Sequence, residues 1–458
     1  MDMKFTWPDK SEASKGACVI VKKLRAAGHE ALIAGGAVRD ALLKRQIQDI
    51  DIATSAAPTQ VKKLFSKTIP TGEKHGTITV RLNKMNYEVT TFRTESAYKR
   101  RRRPGSVEFI TNPEKDAKRR DFTLNALFYD PVSFQIIDYV DGITDLRRGR
   151  IRTVGDPNAR FREDALRLLR AVRFAAVLNL EIERETRIAI KKNSKLITKI
   201  SAERIKQELD KIILSQRASA GIGMLDELAL LQFILPELKA NQGISQPRDV
   251  HAEGDAYAHA VLALELAPND VDLAVRYAIL FHDIGKSKTR AIKNGKATFY
   301  NHPEAGAEMV KNIAKRLKFS KAEEDKITWL VRYHMVPFDL PSMKLSTRRK
   351  WAMQPFFEDL LRLNTADCQA GLRPNGKGFD NSHLVKIATN ALKEIQTHPE
   401  LTTPILSGNE VMKILKIKPG PIVGKILRVL EEKKLENKIK TKKAAIDFLK
   451  RNKNKFLK

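Results

Sequence analysis

The sequence predicts an α+β protein: an N-terminal head built on a mixed sheet, followed by an elongated, mostly helical body. Three observations carry this. Short segments rich in β-branched residues, with period-two alternation, gather at 49–53, 77–82, 87–93, 107–110 and 134–138, as half-buried strands require. From residue 162 the apolar spacing changes to that of amphipathic helices, in LRLLRAVRFAAVL and then ERIKQELDKII. The 458 residues are enough for several domains, and the changes in pattern divide them into 1–150, 151–245, 246–375 and 376–458.

Within the head, 13–30 reads as a helix and ALIAGG (31–36) as an apolar strand ending in a glycine pair. VRDALLKR (38–45) reads as the next helix, and 96–106, SAYKRRRRPGS, as a basic loop. PNGKGFDNS (374–382) reads as a linker because glycine, proline and asparagine favour turns. Residues 411–458 carry 16 Lys and Arg against 4 Asp and Glu, and their last ten residues are expected to fray.

Composition narrows the function. Lys and Arg number 84 against 54 Asp and Glu, a net charge of +30. Such a surplus favours a polyanionic partner, because each neutralised phosphate releases condensed counterions. Only Cys18 and Cys368 are present and neither forms a CxxC pair, which argues against a disulfide scaffold or a cysteine-rich zinc site. The start, MDMKFTWPDKSEASKG, lacks the apolar run of a signal peptide. No stretch reaches the ~20 apolar residues of a membrane span. A cytoplasmic protein with no membrane partner is expected; oligomeric state is left open.

GGAVRD (35–40) follows a strand and opens a helix. Glycines there let a backbone approach phosphate, but the spacing is neither GxGxxG nor GxxxxGK[ST]. Asp49 and Asp51 alternate on an extended segment, so both carboxylates face one way and can grip hard cations such as Mg²⁺. Glu88, in YEVTTFR, is a possible third carboxylate. Asp164 and Arg167, three apart in EDALRLLRAVRF, read as neighbours on one helix face. A carboxylate accepts from the exocyclic amino group shared by cytosine and adenine, and a guanidinium donates to their ring nitrogen. Guanine and uracil present the opposite polarity. On spacing alone an ordinary salt bridge is the better account of the pair.

The motifs GGAVRDALLKRQIQDIDIAT, TGEKHGTITV, RRDFTLNAL and EDALRLLRAVRF occur in the order found in bacterial-type (class II) tRNA nucleotidyltransferases. The chain resembles that family closely over residues 30–210, and SGNEVMKILKIKPGPIVGKIL is similar to its tail. The resemblance implies a polymerase-β-like nucleotidyltransferase head that adds CCA to the tRNA 3′ end from CTP and ATP and releases pyrophosphate. Asp49 and Asp51 would then hold Mg²⁺. Gly36 and Arg39 would lie at the triphosphate, Arg120 would contact the nucleotide, Asp164 and Arg167 would read the base, and Arg170 and Arg173 would add charge at the triphosphate. A full-length loop between Arg93 and Arg119 resembles the lever that the family needs for the final A. That argues against CC-only addition. It leaves A-only addition and, given its RRRR run, poly(A) polymerase open.

A second constellation lies downstream. His259, His282, Asp283, His302, His334 and Asp367 follow the order H…HD…H…H…D, with HDIGK at 282–286. This resembles the helical HD phosphohydrolase superfamily and implies a second divalent metal, whose identity the ligand types leave open among Mn, Fe, Ni and Zn. An HD phosphohydrolase with an RNA-binding head is the alternative from a different class, and the intact Asp49/Asp51 pair argues against it.

Overall fold

The computed structural model describes residues 2–95, 98–99, 103–104, 107–246 and 251–457. The expected basic loop at 96–106 therefore lies largely outside the described residues. The chain forms two compact units, Met1–Pro236 and Glu237–Lys458. Among the described residues no helix is long and apolar enough to cross a membrane.

The first unit is organised by an eight-stranded mixed sheet. Its strands are β1 (Asp2–Lys4), β2 (Ala31–Ala34), β3 (Asp51–Thr54), β4 (Thr68–Gly72), β5 (Thr77–Leu82), β6 (Met85–Thr91), β7 (Phe128–Asp130) and β8 (Gln135–Ile137). Their order across the sheet is β1-β8-β7-β2-β3-β6-β5-β4. The strands expected at 77–82, 87–93 and 134–138 are present within two residues; β1, β4 and β7 are additional. β4 escapes the pattern because all five of its residues are exposed or half-buried, so no apolar alternation marks it.

Helix Glu12–Ala26 covers the sheet beside β2. Ser11 caps it by accepting from the Ser14 N–H. Ile20, Val21 and Leu24 are fully buried, each worth about 1.5–3 kcal/mol. That outweighs the few tenths of a kcal/mol that two β-branched residues cost a helix. Beneath the opposite part of the sheet, Leu32, Ala53, Phe92, Phe128 and Val154 share one core. The sheet register puts functional residues just past the end of β2, at the start of β3 and midway along β6.

The helical part of the first unit includes Pro157–Glu163, Leu166–Leu178 and Ala202–Ile213. The second unit is almost wholly helical. Its six-residue constellation is carried by or beside Ala256–Glu265, Leu273–Phe281, His302–Leu317, Lys321–Tyr333 and Phe357–Ala370. The expected linker at 374–382 joins Phe357–Ala370 to Ser382–Thr397 as a largely exposed turn tied back to the preceding helix. Phe379 N–H donates to Cys368 O at 2.7 Å, and a Cβ at Gly378 would lie 2.5 Å from Gln369 O. The carboxyl-terminal helices Gly408–Leu415, Pro421–Leu435 and Lys442–Arg451 enclose a core of their own around Val411, Ile426, Leu430 and Leu449. The expected frayed end forms one more short helix, Lys453–Leu457, with Phe456 against Phe448. One buried guanidinium ties this region together: Arg349 Nε donates to Glu394 Oε2 at 2.8 Å and its Nη1 to Leu435 O at 2.7 Å and Asn437 Oδ1 at 2.9 Å.

Candidate functional site

A cleft of about 560 Å³ opens where β2, β3 and β6 meet the first helices of the body. β2 ends in Gly35, whose φ of +73° turns the chain into helix Gly36–Leu42. A side chain there would be strained, and its Cβ would lie 3.0 Å from Arg120 Nη1. Gly36 and Arg39 both line the cleft. Arg39 is held by Asn125 Oδ1 at 2.6 Å and by Asp40 at 2.8 Å. Arg120 donates to Asn125 O at 3.0 Å and pairs with Asp116 at 3.2 Å, while the same buried carboxylate holds Arg119 at 2.7 Å. RRDF is thus an ordered block rather than a basic run.

The carboxylates lie opposite. β3 runs parallel to β6 with Ile52 beside Val89, so the preceding residues, Asp51 and Glu88, emerge side by side, and both line the cleft. The ladder begins at Asp51, so the expected strand over 49–53 is shorter at its start. The alternation nonetheless holds, because Ile50 is buried while Asp49 opens to solvent and Asp51 to the cleft. Asp49 does not itself line the cleft but is near enough to act on its neighbour. Enclosure on the cleft floor, then the Glu88 and Asp49 charges, raise the Asp51 carboxyl to about 6 against the pull of Arg120. Such a crowd of like charges is relieved by a bound cation, and the donor set is the oxygen-only type that Mg²⁺ takes.

The expectation that Asp164 and Arg167 share one helix face is overturned. Asp164 is extended (φ −139°, ψ 106°) and separates helix Pro157–Glu163 from Leu166–Leu178. Its Oδ1 accepts the Leu166 N–H at 3.0 Å, a local bond that lets an aspartate compete with the helix. The two side chains do not pair. Asp164 is held by Arg204 at 2.8 Å and Arg167 by Glu163 at 2.6 Å. Both still line the cleft, together with Arg170, Arg173 and Arg204. Arg170 donates to Asp121 at 2.8 Å, and Arg173 lies 2.8 Å from Glu208. Burial raises Asp121, but Arg170 and Asn125 bring it down to about 2. Burial, with Arg170 and Arg39 nearby, pushes Arg173 down to about 10. This concentration of positive charge favours a polyanion in the cleft. Arg204 and Glu208 were not read from the sequence. Their helix, Ala202–Ile213, was, but nothing in the chain ties it to a position some 40 residues earlier.

In the second unit the six expected ligands converge. His259, His282 and Asp367 form one group and Asp283, His302 and His334 another, each with ligand atoms within 4.8 Å of one another. His259 Nε2 is 3.1 Å from Asp367 and His302 Nε2 is 3.3 Å from Asp283. Three rings are set by backbone: the Nδ1 atoms of His282, His302 and His334 lie 2.8, 2.8 and 2.7 Å from the carbonyls of Ile279, Phe299 and Val331. A carbonyl can only accept, so each Nδ1 carries a proton and each Nε2 is the atom turned inward, able to offer a lone pair to a metal once it is deprotonated. The Nε2 atoms of His302 and His334 are 3.2 Å apart, and among the described residues buried His282 Nε2 has no hydrogen-bond partner, with Asp283 Oδ2 3.3 Å away. Burial would lower His282, yet Asp283 and Asp367 raise it to about 10. The same field favours a divalent cation, so the residues fit a metal.

The fourth ring differs: His259 Nδ1 bonds Glu253 Oε1 at 2.7 Å, which His251 Nδ1 also reaches at 2.7 Å. Neither His251 nor Glu253 was expected, since their spacing alone carries no ligand signature. Gly285 sits where two helices cross. A Cβ would lie 2.1 Å from His302 O and 2.6 Å from Gly306 N, both backbone atoms. Gly285→Ala is therefore expected to destabilise the second unit by about 1–3 kcal/mol or more, read as a lower urea midpoint at unchanged slope. Unchanged stability would show that the crossing relaxes freely.

Residues 31–152 match the family model described as "Poly A polymerase head domain", 179–242 match "Probable RNA and SrmB- binding site of polymerase A", and 249–366 match "HD domain". Fold and cleft thus define a metal-dependent nucleotidyltransferase that carries an HD domain. Over 422 residues the chain is 36% identical to a CCA-adding enzyme of Ligilactobacillus salivarius, covering 91% of each protein. It is 35% identical to one of Lactococcus lactis over 436 residues, covering 93% of this chain and 94% of that one. The crystal structure of a Bacillus stearothermophilus CCA-adding enzyme in complex with CTP superposes with a TM-score of 0.72 at 27% identity, covering 97% of this chain and 99% of that one. The chain belongs to the CCA-adding enzyme family.

Proposed function

We propose that this protein completes the 3′ end of tRNA, adding C, C and A from CTP and ATP without a nucleic-acid template and releasing pyrophosphate. The observation that carries it is one cleft with paired carboxylates on one side, clustered arginines on the other, and Asp164 and Arg167 within reach of the same space. Asp49 and Asp51 would hold Mg²⁺, with Glu88 beside them. When bound, Mg²⁺ activates the attacking 3′-hydroxyl and neutralises charge on the leaving pyrophosphate. Gly36, Arg39, Arg120, Arg170 and Arg173 orient the triphosphate and offset its charge. The four domains 1–150, 151–245, 246–375 and 376–458 would serve as head, base-reading neck, HD domain and basic RNA-contacting tail; the matched families, at 31–152, 179–242 and 249–366, support the first three. The HD cluster would be a second, metal-dependent phosphohydrolase centre. On this reading the protein would work in the cytoplasm, alongside its tRNA substrate.

Base selection follows from hydrogen-bond polarity. Asp164 accepts from the amino group of C or A, and Arg167 donates to the ring nitrogen. Asp164 is ready for this because Arg204 and the Leu166 N–H hold its carboxylate in place, and a carboxylate has about four acceptor sites. Asp164→Ala is expected to lower use of CTP and ATP and raise relative use of UTP and GTP. A charged hydrogen bond is worth about 1.5–3 kcal/mol, so the change in preference is roughly ten- to hundredfold. Arg204→Ala, which frees the carboxylate without removing it, should relax selectivity less. The assay supplies tRNAs ending at the discriminator base, C and CC with each labelled nucleotide alone. Addition of A to every end would mean a poly(A) polymerase, and A added only to CC ends an A-adding enzyme. Uniform loss in Asp164→Ala with unchanged C/A preference would place base selection elsewhere.

A further inference from the structure

Between Asp283 and Glu304 the chain carries Lys286, Lys288, Arg290, Lys293 and Lys296 and no acidic residue. The middle of this stretch is a hairpin, Ala291–Lys293 paired with Lys296–Thr298. Its two-residue turn, Asn294 (φ 50°) and Gly295 (φ 74°), suits the right-handed twist of the strands. Lys288, Arg290, Lys293 and Lys296 are exposed, and among the described residues none of the four has an acidic partner within ion-pair distance. Large apolar groups stand among them, with Ile292 61% and Tyr300 71% exposed.

The hairpin is anchored to the HD cluster at its base. Phe299 O holds the His302 ring at 2.8 Å, and the Lys286 ammonium lies 5.5 Å from the Phe299 ring while pairing with Asp283 at 2.6 Å. A chain of phosphates following the hairpin would therefore be led to the cluster. Unpaired cations along a ribbon neutralise a phosphate backbone, and an exposed aromatic ring offers a stacking face to any base. An acidic protein surface would use the cations but leave Tyr300 without a role.

We propose that the hairpin Ala291–Thr298, with Arg290 and Tyr300 at its ends, binds single-stranded RNA and makes RNA-borne phosphate esters the preferred substrates of the HD cluster. This rests on reading that cluster as a metal-dependent phosphohydrolase. In the hydrolysis, water oxygen bonds to phosphorus and the phosphorus–oxygen ester bond breaks. The ribose oxygen leaves as a hydroxyl carrying a proton from water, so no oxidant or reductant is needed.

The test uses the full chain with Mn²⁺ and two substrates, a short RNA ending in a phosphate and p-nitrophenyl phosphate. Lys293→Gln with Lys296→Gln is expected to raise KM for the RNA about tenfold and to leave p-nitrophenyl phosphate unchanged, which also shows that the variant folds. In EDTA, where no turnover occurs, the slope of log affinity against log salt for the RNA should fall by about 1.4 for two lost charges. A 4-thiouridine near the RNA end should photo-crosslink within residues 290–300 of the wild type and lose that crosslink in the variant. Crosslinks elsewhere only, or an unchanged RNA KM and salt slope, would overturn the proposal. So would loss of polyglutamate binding in the variant with RNA hydrolysis intact, which would mark an acidic protein as partner. If the wild type hydrolyses neither substrate yet crosslinks at the hairpin, the RNA surface stands and the phosphohydrolase reading falls.

Discussion

Asp51→Ala is expected to remove nucleotide addition almost completely while tRNA still binds. The side chain stands beside Glu88 on the cleft floor, in a field that already favours a cation. Losing a ligand at such a place forfeits several kcal/mol of charge stabilisation in the transition state, which is at least a hundredfold in rate. Binding should be nearly unaffected, because affinity for RNA is spread over a chain with 84 basic residues. Asp49→Ala should act in the same direction but less, since Asp49 does not line the cleft. Single-turnover addition of C to a tRNA lacking CCA, with affinity measured in parallel, checks both. Wild-type turnover by Asp51→Ala would show that the carboxylate pair does not carry the chemistry.

His282→Ala combined with Asp283→Asn is expected to lower any metal-dependent phosphohydrolase activity by a hundredfold or more and to leave CCA addition unchanged. The two residues contribute to both ligand groups of the cluster. Asparagine is preferred to alanine at 283 because Asp283 faces the buried Lys286 at 2.6 Å, and an unpaired buried ammonium costs about 3–5 kcal/mol. The transferase motifs all precede residue 250 and lie in the first unit, so the two activities should separate. Metal content by elemental analysis gives a readout that does not depend on turnover. Equal loss of both activities in a protein that still melts normally would mean one shared centre.

What the sequence disclosed and what it hid divide along physical lines. GGAVRD, Asp49/Asp51 and HD at 282–283 are local patterns, and each was legible because neighbours in sequence are neighbours in space. The six ligands of the second cluster were picked out by the resemblance of their order, H…HD…H…H…D, to the HD superfamily. Asp164 was misread because the helix period runs unbroken through EDALRLLR, whereas the Leu166 N–H bonded to the carboxylate interrupts the backbone. Arg204 and Glu253 act through partners distant in the chain or not marked by type, so only the fold brings them forward. β4 was missed because it lies at the sheet edge with no buried face.

Arg349 has a consequence for how the second unit comes apart. Its side chain is almost wholly buried and answers to three partners on two segments: Glu394 of helix Ser382–Thr397, and Leu435 and Asn437 at and just past the end of Pro421–Leu435. If either segment peels away, the buried guanidinium loses a partner it holds in the closed fold. Partial opening is therefore penalised more than the separate apolar core of the tail would suggest. The carboxyl-terminal helices, which look like an appendage that could breathe alone, are instead made to share their cooperativity with the helices before them.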